Sequence, residues 1–203
     1  MLKRSSKKNS SNQNTFLVVG LGNPGKEYVG TRHNVGAAVV EALAEAHNCV
    51  LRKSRDQSLN AEISLEGKKV LLAFPQTFMN NSGQAVSSIM RRNGISNPEN
   101  LIVVHDEMDT PPGDLRIKFG GGLAGHNGLK SITNHLHTQD YLRLRLGIGK
   151  PADKDSGANY VLKRPSKTEQ EIFSQAIQKA IEAIEALILE GKDAAMARFN
   201  NRS

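Results

Sequence analysis

The chain has 203 residues, enough for one domain with a substantial core, and carries a formal charge of +7. Its single cysteine, Cys49, excludes an intramolecular disulfide, and no apolar run approaches the roughly 18 residues that a membrane span needs. With no signal-peptide core either, a cytoplasmic protein that stays out of membranes is expected.

The charge is unevenly spread. Residues 1–15 hold Lys3, Arg4, Lys7 and Lys8 with no acid, residues 168–203 sum to −2, and residues 16–167 keep +5. A basic body suggests a polyanionic partner, with nucleic acid as the first choice. Residues 1–15 are too polar to pack and read as a disordered basic tail ahead of one domain at 16–203.

In chain order, Phe16–Val19 predicts a short buried strand ended by glycines. Val35–His47 has helical spacing, with Val35, Val39, Leu43 and Ala46 on one face. Leu59–Leu65 and Lys69–Phe74 read as strands joined by a hairpin-type turn at Glu66-Gly67. Asn81–Arg92 predicts a helix stopped by Asn93-Gly94, and Leu101–Val104 is a continuous apolar run suited to a buried strand. Leu115–Phe119 and Leu142–Ile148 alternate, and His126–His137 is helical. Ser166-Lys167-Thr168-Glu169 is a capping box that opens a long amphipathic helix closed by Gly191. The alternation predicts an α/β fold: a single domain whose twisted mixed β-sheet carries helices on both faces. In such sheets, loops leaving the carboxyl ends of strands line the binding crevice.

Four segments concentrate chemistry in those loops. Gly20-Leu21-Gly22-Asn23-Pro24-Gly25 matches the dinucleotide fingerprint, but Pro24 removes an amide donor and no helix pattern opens at Gly25. A sharp turn delivering Asn23 into a pocket fits better. His33 is the candidate base, since imidazole titrates near neutral pH, and Asp106 at the end of an apolar strand is its candidate orienting acid. Asn80 and Asn127 can donate to an oxyanion or orient a water without adding charge. Met79 either packs beneath the site or fills core.

Covalent catalysis lacks a framed nucleophile. Cys49 has no glycine elbow, and Ser82 lacks the G-x-S-x-G context. Metal ligation is not expected, because His135-x-His137 is the only close histidine pair and no carboxylate motif adjoins it. Asn80-Asn81-Ser82 resembles a glycosylation sequon, which has meaning only in a secreted protein. The loop Gly120–Gly125 reads as a mobile lid, a phosphate-cradling nest or a plain connection. Lys118, Arg143 and Arg145 beside it read as a phosphate grip or a solvated strand face.

Taken together, these segments resemble the bacterial-type peptidyl-tRNA hydrolase family. The matching stretches are GLGNPGKEYVGTRHNVG (20–36), PQTFMNNSG (75–83), VVHDEMDTPPG (103–113), the GGG…GHNGLKSI segment (120–132) and RLRLGIGKP (143–151). The resemblance implies a monomeric, metal-free and cofactor-free cytoplasmic enzyme that cuts the ester between a peptide and the 3′ ribose of tRNA. It implies that His33 activates water, Asp106 orients His33, and Asn23 and Asn80 hold the carbonyl and the water. Asn127 would help position substrate, Tyr28 and Met79 would line the peptide side, and Lys118 with Arg145 would clamp the tRNA 5′-phosphate. Leu123-Ala124 departs from the polar residue and glycine common in relatives. The alternative on this scaffold is a noncatalytic RNA-binding splicing cofactor, which has no use for a His33–Asp106 pair.

Overall fold

A computed structural model describes residues 14–151 and 157–200. Seven strands form one sheet: β1 (Thr15–Gly20), β2 (Arg52–Ser54), β3 (Ser58–Leu65), β4 (Lys68–Pro75), β5 (Leu101–Glu107), β6 (Leu115–Phe119) and β7 (Leu142–Gly147). Their spatial order is β2-β3-β4-β1-β5-β7-β6. The four central strands β4, β1, β5 and β7 run parallel; antiparallel β3 and β2 close one edge and antiparallel β6 the other. Thr15 already pairs with Lys69, so the ordered domain begins one residue earlier than expected. The rest of the expected basic tail, up to residue 13, lies outside the described residues.

Helices α1 (Val35–Ala46), α2 (Ser82–Arg92), α3 (Asn127–Leu136), α4 (Gly157–Val161), α5 (Lys167–Leu189) and α6 (Lys192–Phe199) complete the fold. They cover both faces. One core packs α1, α5 and α6 on the sheet through Val39, Leu43, Ala180 and Ile184, and the other packs α2 and α3 through Val86, Ile89, Leu129 and Ile132. Fully burying each of the valine, leucine and isoleucine side chains contributes about 1.5–3 kcal/mol. The Ser166 capping box forms as expected: its hydroxyl accepts from Glu169 N–H, and Ser166 N–H donates to the Glu169 carboxylate at 2.8 Å.

The sheet places the site. The chain leaves β1 for α1 on one face, and leaves β4 for α2 on the other. The carboxyl ends of β4, β1 and β5 therefore meet at a topological switch point, where the loops diverge and open a crevice. Helix α1 approaches that point closely because Gly20 and Gly36 face each other. A Cβ on Gly20 would strike the Gly36 carbonyl, and a Cβ on Gly36 would strike the Val104 carbonyl on β5.

Candidate active site

The switch point holds a cleft of about 570 Å³. Asn23 reaches it from the loop after β1, and Met79 and Asn80 from the 3₁₀ turn after β4. Asp106 comes from the end of β5, His33 from a 3₁₀ turn ahead of α1, and His126 and Asn127 from the start of α3. Phe78, Ala124, Gly125, Val161 and Leu162 supply its apolar walls. Six of the nine expected site residues thus share one cavity. Tyr28 is not among the lining side chains; it is half-buried in the loop before His33, where its carbonyl accepts from Thr31 N–H and Oγ1–H.

Asp106 organises the centre. Its Oδ1 lies 2.8 Å from His33 Nδ1 and 3.1 Å from His126 Nε2. Burial alone would raise the Asp106 pKa, but the attraction of His126 and the hydrogen bonds from His126 and His33 outweigh it and hold the carboxyl well below the usual range. The carboxylate is therefore ionised and can only accept, so both rings donate to it. His33 then carries its proton on Nδ1, and its Nε2 lone pair is left for the cleft. His126 differs. Its Nδ1 caps α3 by accepting the N–H groups of Gly128 and Leu129 at 3.1 and 3.4 Å, so both of its nitrogens are engaged. Of the two histidines on Asp106, only His33 retains a basic nitrogen without a partner among the described residues.

A third histidine supports Asp106 from behind. His105 Nδ1–H donates to the Asp106 carbonyl at 2.8 Å, and its ring packs edge-on to His126. Burial first, then repulsion from His126, pushes the His105 pKa down to about 3, so this ring is neutral at physiological pH.

Asn23 is held on three sides. Its backbone N–H donates to Asn34 Oδ1, and its carbonyl accepts from Asn34 Nδ2, both at 2.9 Å. Its side-chain Oδ1 accepts from Met79 N–H at 2.8 Å. That last bond fixes the amide's orientation and leaves Nδ2 as the group offered to the cleft. The glycine-rich turn is a delivery device, as expected. No helix opens at Gly25; α1 starts only at Val35, so the pyrophosphate geometry of a dinucleotide site is missing there. Asn80 and Asn127 are exposed in the cleft, and among the described residues neither side chain has a protein hydrogen-bond partner. Met79 is buried, packing under the site while also filling core.

Sequence reasoning missed two positioning residues. Asn34 follows His33 directly and His126 precedes Asn127, so adjacency to a chosen residue was the available signal for each. It also missed a possible ligand set. The donor atoms of His33, Asp106 and His126 lie within 4.8 Å of one another, the arrangement among the described residues that is able to hold a metal ion. His135 instead bonds the Ser131 carbonyl. The nucleophile candidates are accounted for: Ser82 is fully buried with its hydroxyl on the Met79 carbonyl, and Cys49 contacts the Glu62 carbonyl at 3.6 Å.

Lys118 and Arg145 line a separate hollow of about 200 Å³ beneath the glycine loop, beside His105 and Glu107. Lys118 is exposed and has no ion pair among the described residues, whereas Arg145 Nε and Nη2 both bond Glu107 Oε2, at 2.9 and 2.7 Å. Arg143 corrects the sequence reading. It is neither a phosphate grip nor a solvated face, being 1% exposed with its guanidinium on the carbonyls of Gly121, Gly122 and Gln139. It anchors the base of the loop. Ala124, near the loop's tip, has φ +48, a left-handed conformation that glycine tolerates better.

Among the described residues, no helix is long and apolar enough to cross a membrane. Residues 17–203 match the family model described as peptidyl-tRNA hydrolase. The chain is 48% identical over 187 residues to a peptidyl-tRNA hydrolase of Thiobacillus denitrificans, covering 92% of this chain and 90% of the relative. It is 45% identical over 186 residues to one of Edwardsiella ictaluri, covering 91% and 94%. The crystal structure of peptidyl-tRNA hydrolase from Acinetobacter baumannii is similar with a TM-score of 0.88 at 38% identity, over 96% of this chain and 98% of that one. With its cleft, its His33–Asp106 pair and its amides all inside the matched span, the chain belongs to the peptidyl-tRNA hydrolase family.

Proposed function

We propose that the chain hydrolyses the ester joining a peptide to the 3′ ribose of tRNA, with His33 as general base toward water. The observation that carries this is the free Nε2 of His33, whose Nδ1–H is held 2.8 Å from an ionised Asp106. A water in the cleft passes its proton to Nε2 as its oxygen attacks the ester carbonyl. The developing oxyanion takes donors from the Nδ2 groups of Asn23 and Asn80, while Asn127 orients substrate or water. When the carbonyl re-forms, the ribose 3′ oxygen leaves with the proton returned by His33. A positioned base contributes about 10²–10⁴ in rate and one oxyanion donor about 10²–10³. That combined power suits an ester better than a peptide bond, whose leaving group is far poorer.

Lys118 and Arg145 serve the tRNA 5′-phosphate, Arg145 sharing its guanidinium with Glu107. Met79 belongs to the peptide side, which it supports from beneath, and Tyr28 is assigned to that side as well. A monomer in the cytoplasm is the reading that the single cysteine and the basic, self-contained domain support. The noncatalytic RNA-binding alternative gains nothing from the histidine pair on Asp106. The test is peptide release from N-acetyl-phenylalanyl-tRNA after chelator treatment, beside free phenylalanyl-tRNA. Release from the blocked substrate alone is the expected result; release from neither would end the reading.

A further inference from the structure

A second groove opens on the same rim of the sheet, on the side away from Lys118 and Arg145. It has a volume of about 210 Å³ and is lined by the β2–β3 turn and by the outer face of α2. The end of β4 places this turn at the cleft's end of the sheet, since Ser58 pairs with Pro75 and Gln76 N–H donates to the Gln57 carbonyl. Helix α2 begins just past Asn80, and Gln84, one turn along, is the first side chain of the groove. Ser87, Ser88 and Arg91 continue it. A second hollow of about 560 Å³ shares Ser87 and Arg91 and carries the depression on to His135. The eleven residues of α2 span about 16 Å, so this path leads from the ester-binding residues outward along the whole helix.

The lining has a definite chemistry. Between the β2–β3 turn and α2 it contains arginines, hydroxyls and amides and, among the described residues, no apolar side chain; Met90, Ile95, Pro98 and Leu136 enter only in the second hollow. The one acid, Asp56, is buried and already met by Arg92 at 3.0 Å, Ser88 Oγ at 2.8 Å and Ser54 Oγ at 3.1 Å. Arg55 and Arg91 are exposed and form no ion pair among the described residues. Two uncommitted guanidinium groups therefore stand over a hydrogen-bonding floor. Nascent peptides vary in charge and need apolar contact, whereas a nucleic-acid backbone repeats one charge at every residue.

We propose that this groove is a second RNA contact, holding the sugar–phosphate backbone of the 3′ strand that carries the ester; it rests on peptidyl-tRNA being the substrate. The hollow at Lys118 and Arg145 lies four strand positions away, about 19 Å at the usual spacing, so no single phosphate serves both. The strand continuous with the ester leaves the cleft along α2, and the opposite strand's end is met at β7.

The test uses an Arg55→Ala, Arg91→Ala double variant, with binding of deacylated tRNA measured as log K against log KCl. The salt slope is expected to fall in magnitude by about 1.4–1.8, from 0.7–0.9 per lost phosphate contact. KM for N-acetyl-phenylalanyl-tRNA rises by about tenfold with kcat unchanged. Turnover of N-acetyl-phenylalanyl-adenosine, which lacks that strand, stays at the wild-type level, and Arg55→Lys with Arg91→Lys restores the slope. A wild-type salt slope in the alanine variant overturns the proposal, as does an equal loss on the adenosine ester. A KM change that tracks peptide charge would give the groove to the peptide. The slope is read from binding alone, so it stands or falls separately from peptide release by the wild-type protein.

Discussion

The two corners of the rim solve different problems with different economies of side chain. At the cleft, nearly every polar atom that is not needed for substrate is tied down: Asp106 by two rings, His126 by a helix cap, Asn23 by Asn34 and Met79. At the β6–β7 corner, Lys118 stands in solvent and Arg145 shares one carboxylate oxygen. Proton transfer and oxyanion stabilisation fail when donors are misplaced by a fraction of an ångström, so those groups are fixed. Coulomb attraction to a phosphate falls off gradually with distance, so long flexible cations suffice.

Substitutions at the two corners should therefore differ in kind. His33→Ala should lower kcat by about 10²–10⁴ with tRNA affinity unchanged; turnover near wild type would remove it as the base. Asp106→Asn keeps an acceptor but not the charge, and kcat should fall by about 10²–10³. Asn80→Ala should reduce kcat by roughly a hundredfold in single-turnover assays, and an unaltered rate would make its amide structural. At the other corner, Lys118→Ala with Arg145→Ala should spare kcat, weaken tRNA binding by about tenfold and flatten its salt slope by about 1, for the one phosphate they hold. If kcat collapsed there instead, the division between fixed and loose corners would be wrong.

The smallest effect concerns pH and stability rather than turnover. His105 has a folded pKa near 3 against an ordinary value of 6.5, so its contribution is complete above pH 6.5 and is lost as pH falls toward 3. Between pH 6.5 and 5 this single group should remove about 2 kcal/mol of stability, a window above the range in which Asp106 begins to take up a proton. Urea unfolding of wild type and His105→Asn at pH 7 and pH 5 measures it. Identical pH dependence in both would mean that the ring is not held neutral.

How much of this was readable beforehand depended on whether a residue's neighbours in sequence also decided its environment. Leu101–Val104 declared a buried strand by its unbroken apolar run, yet the strand continues through His105-Asp106-Glu107, polar residues buried because the site uses them. Strand β2, Arg52-Lys53-Ser54, is an edge segment whose pairing with β3 owes nothing to hydrophobic pattern. Helix α4 is too short to show a period, and α6, only eight residues long, lies beyond the Gly191 stop where the reading ended. His33 and Asp106 were legible because each adjoins a stretch with a clear signature, the helical spacing from Val35 and the apolar run Leu101–Val104. His126 as partner to Asp106 was not, since that contact depends on how the glycine loop folds back across twenty residues. Arg143 misled for the same reason: alternation put it on a wet face, and the loop then folded over it.

The facing glycines at positions 20 and 36 set how far this enzyme can wander in sequence. A single methyl on either would wedge α1 off the sheet, and a retreat of under an ångström would carry the imidazole of His33 out of hydrogen-bond reach of Asp106. The seam thus behaves as a calibrated spacer made from missing atoms. Substitution is tolerated more easily at the solvent-exposed margins than at this seam, which holds the interval between base and acid.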